Sequence, residues 1–260
     1  MVMNDILKNV KIGEIIDFGF YPQSVKEDDV VVSDTVNENG YYLGSDGECY
    51  SKIVATPYNT NYKFSNGTII TKGNEYYFKV EPIKWIVLSK DSETLSVLCT
   101  NIIDGRVFST IPQTYMDSEI RAWLNAEFYN LAFNEIQKKL IAVTTVNNTK
   151  ASTGHSSNKN ACKNTKDKIY LLSKQEACNL DNQNEGRSSV RERIASDYAR
   201  ATGVGILTTL DRYGNGAWWL RSPYHASINY AWIGNTDGSI FYSFQTSVKG
   251  IVPVLQISVK

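Results

Sequence analysis

Histidine is scarce: the 260-residue chain has two, His155 and His225. A three-histidine metal site is therefore excluded, and H-E-x-x-H is absent. The four cysteines, Cys49, Cys99, Cys162 and Cys178, are far apart and form no C-x-x-C pair. That spacing offers no chelating or redox couple, so isolated thiols and no metal site are expected. There is no Walker A sequence, no G-x-S-x-G elbow and no G-x-G-x-x-G. Charge of either sign is not in excess, with 27 Lys and Arg against 27 Asp and Glu. A dedicated nucleic-acid binder needs a basic surplus to neutralise phosphates, so nucleic acid is not an expected partner. No apolar run approaches the roughly 18 residues of a membrane span. Residues 1–8 lack the basic start and apolar core of a secretory leader. The expected location is the cytoplasm if the chain is complete, and the surface or exterior if a leader has been removed.

What is present is an ordinary globular composition, 42% hydrophobic and 12% aromatic, enough for a substantial core. The first third reads as short strands between Gly, Asn and Asp clusters: Ile15–Tyr21, Val30–Ser33, Gly40–Leu43 and Tyr50–Ala55. Asn66-Gly67 before Thr68–Thr71 reads as a hairpin turn. Tyr76–Val80, Ile83–Leu88 and Leu95–Cys99 form a second strand set. The middle is helical, with Ile120, Trp123, Leu124, Phe128 and Leu131 at helical spacing and Asn134 capping a helix through Leu140. Trp85, Trp123, Leu124 and Phe128 are expected core residues. Asn147–Lys168 reads as a long solvated loop. A strand at Lys168–Leu172, a helix from Lys174 and an amphipathic helix over Val190–Ala201 follow. Gly203-Val-Gly205 reads as the C-cap and turn after that helix. Strands return at Ala217–Leu220, Ile228–Ile233, Ser239–Tyr242 and Ile251–Ile257, with Pro253 implying an edge or bulge. Strand, helix, strand order without a linker predicts one α+β domain over 1–260, its terminal strands adjacent in a mixed or antiparallel sheet.

Several segments in one order carry a resemblance. They are Phe18-Gly-Phe-Tyr-Pro-Gln23, Glu81-Pro-Ile-Lys-Trp-Ile-Val-Leu88, Ser118-Glu-Ile-Arg-Ala-Trp-Leu-Asn125 and Phe128-Tyr-Asn-Leu-Ala-Phe133. Asp167-Lys-Ile-Tyr-Leu-Leu-Ser173, Ser196-Asp-Tyr-Ala199, Trp218-Trp-Leu-Arg-Ser-Pro223 and Gly250-Ile-Val-Pro253 continue the series. Together they resemble an uncharacterised bacterial family of the C-type-lectin-like, formylglycine-generating-enzyme-like fold. The resemblance implies a mixed sheet with helices in the middle of the chain. Many members of that family carry Arg before the final Pro, where Val252 stands here. Related folds host copper oxidases that use paired thiolates, iron enzymes that use three histidines, and calcium-dependent lectins. The cysteines here form no such pair and the histidines are too few. Glu81-Pro82-Ile83 and Asn235-Thr-Asp237 depart from the lectin calcium motifs.

The remaining function on related folds is recognition through a variable surface near the C-terminus, as in retroelement-diversified proteins. Here Tyr224, His225, Asn229, Tyr230, Trp232, Asn235 and Asp237 lie within a short segment, with Tyr242 following. Rigid rings interleaved with Ser and Asn resemble the composition of a paratope. Strand alternation offers the opposite reading, with Tyr230 and Trp232 turned into the core. The expectation is a binding module for a protein or carbohydrate ligand, with no catalytic residue and no cofactor. A metal-dependent enzyme, a hydrolase built on Glu81 or Asp237, calcium-dependent carbohydrate binding, and a structural or scaffolding domain are the alternatives. Of Trp218 and Trp219, adjacent on a strand, one is expected in the core and one partly exposed. Arg221 is expected to be a buried clamp that pairs a carboxylate and stacks on a ring.

Overall fold

A computed structural model describes residues 7–181 and 185–260. Most of the N-terminal segment read for a leader thus lies outside the described residues. The chain is mixed α/β, with two main sheets and few, short helices.

The first sheet is organised by β5 (Glu75–Lys90), which fuses the two apolar runs around Glu81-Pro82. Its N-terminal half pairs with β4 (Cys49–Val54) and its C-terminal half with β6 (Thr94–Cys99). β1 (Ile15–Val25) lies antiparallel to β5, with Ile16 opposite Trp85 and Tyr21 opposite Glu81. β2 (Val32–Val36) and β3 (Tyr42–Gly44) extend the sheet beyond β4. Trp85 is fully buried, and its indole N–H donates to the Phe18 carbonyl at 2.7 Å.

Two short connections pass the chain directly from one main sheet to the other. Between β6 and β7 (Asp104–Arg106) it leaves the first sheet, and between β14 (Lys249–Ile251) and β15 (Val254–Ser258) it returns. The crossings are hydrogen-bonded to each other, Cys99 N–H to the Pro253 carbonyl at 2.9 Å and Ile103 N–H to the Ile251 carbonyl at 3.1 Å. Pro253 therefore marks the change of sheet rather than an edge or bulge: lacking an N–H, it suits the gap between two ladders. β15 pairs with β6 on one side and β10 (Ile169–Tyr170) on the other, so it is internal. Strands from both ends of the chain share one sheet, but β5 and β6 separate β1 from β15, so the terminal strands are not adjacent.

The second sheet runs β13 (Ile240–Phe244), β12 (Tyr230–Gly234), β11 (Trp218–Pro223), β14, β7, parallel between β11 and β14 and otherwise antiparallel. A further small pair joins β8 (Thr144–Val146) to β9 (Thr165–Asp167).

The helical middle is one continuous run. α1 (Glu119–Trp123), capped by the Ser118 side chain, passes through a π turn at Leu124–Phe128 into α2 (Tyr129–Ala132). Trp123, Leu124 and Phe128 are buried as their spacing requires, while Leu131 is exposed. α3 (Glu135–Leu140) begins in a capping box, with Asn134 and Gln137 satisfying each other's backbone N–H groups. α4 is Lys174–Asn179, opened by a second capping box from Ser173.

The helix expected over Val190–Ala201 is reduced to a 3₁₀ turn at Ser189–Arg191 and α5 (Asp197–Ala201). Val190 and Ile194 are exposed, whereas Arg191 and Arg193 are buried. Ile102 N–H donates to the Ile194 carbonyl and Ala195 N–H to the Gly214 carbonyl, both at 2.9 Å, and these bridges hold the backbone extended against helical periodicity. Gly203, at φ +103°, ends α5 in the left-handed region that glycine tolerates.

Candidate functional site

Trp218 and Trp219 are both fully buried, so neither lines a surface. Each face of β11 is covered, and each indole is satisfied internally, Trp218 by the Arg191 carbonyl at 3.1 Å and Trp219 by the Arg106 carbonyl at 2.8 Å. Arg221 is buried beside them as a clamp. It pairs through both Nη atoms with Glu176, donates to the Leu171 and Asn147 carbonyls at 2.7 and 3.0 Å, and reaches Asn148 Oδ1 at 3.1 Å. The Tyr170 ring lies 5.9 Å away. Burial alone would raise the Glu176 pKa; the guanidinium outweighs it and holds the carboxyl below its usual range.

Beyond Pro223 the chain rises onto an aromatic cluster. The β12–β13 register sets Tyr230 opposite Phe244 and Trp232 opposite Tyr242, so four rings share one face. Tyr224 stacks on Tyr242 with centroids 4.1 Å apart, and Tyr230 lies 4.3 Å from Phe244. Phe241 stacks against Tyr242 at 4.6 Å. Trp232 is 5% exposed and forms the base of the cluster. Tyr224, Tyr230 and Tyr242 are half-buried, and Phe241 and Phe244 are 54% and 53% exposed. The Lys174 ammonium sits 3.9 Å from the Trp232 ring centroid and pairs with Glu185 at 2.6 Å.

The two histidines meet here, ring on ring, with centroids 4.1 Å apart and planes 7° from parallel. The Asn147–Lys168 segment delivers His155; Lys150, Lys159, Lys163 and Lys166 are exposed as a surface loop requires, but several of its polar residues are packed inward. Asn148, Asn158 and Thr165 are buried. Asn158 Nδ2 donates to the Pro223 carbonyl at 3.0 Å and Asn160 Nδ2 to the Tyr224 carbonyl at 2.8 Å. These amides satisfy carbonyls that leave the β11 ladder, which is why a polar segment can be buried. His225 Nδ1 is buried without a hydrogen-bond partner among the described residues. Burial, then His155 and Lys174, pull the His225 pKa below its ordinary value, against Glu185.

Of the candidate residues, Tyr224, His225, Tyr230 and Trp232 come together. Asn229 flanks them, exposed, its carbonyl accepting from Gln245 N–H at 2.9 Å. Asn235 and Asp237 lie in the turn at the opposite end of the β12–β13 hairpin. Asp237 accepts from the Ser239 N–H and hydroxyl at 3.1 and 2.6 Å and pairs with Arg187 at 3.0 Å. Its carboxylate therefore holds the turn. Phe241, Phe244, His155 and Lys174 were missed by sequence reasoning. The period-2 pattern of Tyr242 and Phe244 was the available signal for Phe244, whereas alternation puts Phe241 on the other parity and nothing local announces His155 or Lys174.

The alternative chemistries find less geometry. Glu81 lies on β5 and accepts from Ser24 N–H at 3.0 Å, in a different sheet from Asp237. No group of three or more His, Cys, Asp or Glu among the described residues is placed to hold a metal ion. All four cysteines are free, and burial pushes the Cys99 thiol up to about 12, far from a reactive thiolate. No described helix is long and apolar enough to cross a membrane.

The profile of a domain family, DUF6273, described as a domain of unknown function, matches residues 84–259, more than half of the chain. The chain belongs to that family. The matched range starts within β5 and contains the whole aromatic cluster, while Phe18–Gln23 lies outside it. No curated protein and no solved structure matches the chain.

Proposed function

We propose that this member of the family is a non-catalytic recognition module that binds a protein partner through the rings of β12 and β13. The observation that carries the reading is the exposure of Phe241 and Phe244 at the edge of a contiguous aromatic face. Isolated exposed apolar residues need no explanation, but a continuous patch of rings at a sheet edge does. Ring orientation favours protein over carbohydrate. A sugar lies flat on coplanar rings, yet here Tyr224 and Tyr230 are turned 76° from each other, and Tyr230 and Tyr242 88°. Such a surface suits the irregular relief of side chains, with Asn229 and His225 as adaptable polar neighbours. The zero net charge gives no support to a nucleic-acid partner.

The scaffold we propose is a single C-type-lectin-like domain, as in retroelement-diversified surface proteins. Strands from both chain ends in one sheet support it, as does one apolar core running from Leu7 to Val259. Panning a random peptide display library on the whole protein tests the function, with xylohexaose and cellohexaose titrated in parallel. Selected peptides are expected to lose at least about tenfold in affinity for the Tyr230→Ala/Phe244→Ala protein, and the sugars to leave the Trp fluorescence unchanged. Peptides indifferent to the substitutions, or a saturable sugar response, would overturn the reading.

A further inference from the structure

At the opposite edge of the second sheet from the aromatic rings, β7 borders a cleft of about 540 Å³ that α1 and the π turn close from the other side. Its cationic group is Arg106, and that side chain is fixed before any ligand arrives. Nε donates to Asp104 Oδ2 at 3.2 Å, and the guanidinium carbon lies 4.0 Å from the Trp123 ring centroid. Asp104 is itself buried and fixed by the Tyr21 hydroxyl at 2.8 Å and the Gly105 N–H at 2.7 Å. The Arg106 carbonyl accepts from the Trp219 indole, which anchors the main chain. Neither Nη atom has a hydrogen-bond partner among the described residues, and the side chain is 38% exposed. A guanidinium with its Nε edge occupied and its Nη fork open is pre-organised for a two-oxygen anion.

The walls select which anion. Ala122 and Ala126, four residues apart on the helical run, are exposed and short, and with Val248 they leave an apolar space beside the fork. The π turn at Leu124–Phe128 sits in this wall, and π turns recur at functional sites. Two carboxylates stand at the rim. Glu119 is engaged by Thr110 N–H at 3.1 Å, whereas Glu127 is exposed with no hydrogen bond or ion pair among the described residues. Negative charge at the rim opposes a dianion such as phosphate more than a monoanion. We infer that this cleft binds a small organic monocarboxylate, its two oxygens on the Nη fork of Arg106 and its hydrocarbon body against Ala122, Ala126 and Val248. The inference is independent of the aromatic face.

The test is an NMR titration of the whole ¹⁵N-labelled protein with 4-methylpentanoate, its neutral amide and inorganic phosphate. The acid is expected to shift the Arg106 Nε–H and Trp123 indole resonances saturably, with the amide and phosphate at least about tenfold weaker. Arg106→Gln should remove the saturable shift at the Trp123 indole. Glu127→Gln changes an exposed side chain, so it keeps the test open if Arg106→Gln does not fold. Removing that nearby negative charge should tighten the acid about two- to threefold. Equal affinity for acid and amide would reduce the site to an apolar groove, and phosphate binding as tightly as the acid would make it a general anion site. Either result overturns the inference, as do saturable binding by Arg106→Gln and a Glu127→Gln affinity that is unchanged or weaker.

Discussion

Arg221 gathers the ends of several segments because its planar fork can satisfy a carboxylate and three other oxygens at once. Its role as a clamp was legible from a lone Arg among rings; its partners were not, because Glu176 and Asn148 are distant in sequence. Arg221→Met would leave Glu176 and the Asn148 amide oxygen without their main donor. Glu176 keeps some solvent contact, so the expected cost is near the low end for a broken buried pair, about 3 kcal/mol in urea titrations. The pH dependence is the sharper check. In the native protein the Glu176 pKa is lowered, so its contribution is complete above the ordinary value and is lost as pH falls through the folded value. In Arg221→Met only the Ser173 hydrogen bonds remain to oppose burial, so the carboxyl is held down less and part of that contribution is gone. The deficit of the variant should therefore shrink between about pH 7 and about pH 3. A deficit of the same size at both would contradict the role given to the pair.

At the scale of elements, the segment carrying His155 and the turn carrying His225 are latched by a ring stack and by Asn side-chain amides. Composition alone read Asn147–Lys168 as a surface loop, which its lysines bear out, but it could not show that Asn148, Asn158 and Thr165 are buried, because their partners are distant in sequence. The same limit explains the failed helix at Val190–Ala201, where long-range bridges decide the backbone. Elements whose signals are local were legible: the cap at Asn134 and the left-handed glycine after α5. In β5 both alternating sets of Ile83–Leu88 read as apolar and covered, whereas Ile83, Trp85 and Val87 are buried, Ile86 and Leu88 half-buried and Lys84 exposed. The His225 pKa is lowered in the folded protein, chiefly by burial, with His155 and Lys174 adding to it. The neutral ring is thus favoured by docking, so the latch is complete above about 6.5 and weakens as pH falls below it, levelling off beneath the folded pKa. Amide exchange protection at residues 155–160, corrected for intrinsic rates, should fall over that window, and His225→Gln should remove the dependence. Protection that stays constant in the native protein would contradict the latch.

For the whole molecule, the decisive feature is the pair of hydrogen-bonded crossings, β6 to β7 and β14 to β15, through which each sheet continues into the other. Neither sheet can be separated without breaking backbone hydrogen bonds and dividing one core. Unfolding is therefore expected as one cooperative transition, with far-ultraviolet circular dichroism and Trp fluorescence giving coincident midpoints. Two resolved transitions would divide the chain into independent units. Sequence order made the mixed architecture and the aromatic segment legible. It could not show which rings are exposed, because that depends on the β12–β13 register and on what covers each face of β11.

The central claim is that the aromatic face serves binding rather than folding, and Phe244→Ala tests it in a single variant. Phe244 is about half exposed, so its truncation should cost less than about 1 kcal/mol in a urea titration. The same protein should bind the selected peptides at least about tenfold more weakly than the native chain. An unfolding midpoint that collapses, or peptide affinity that survives intact, would contradict the account.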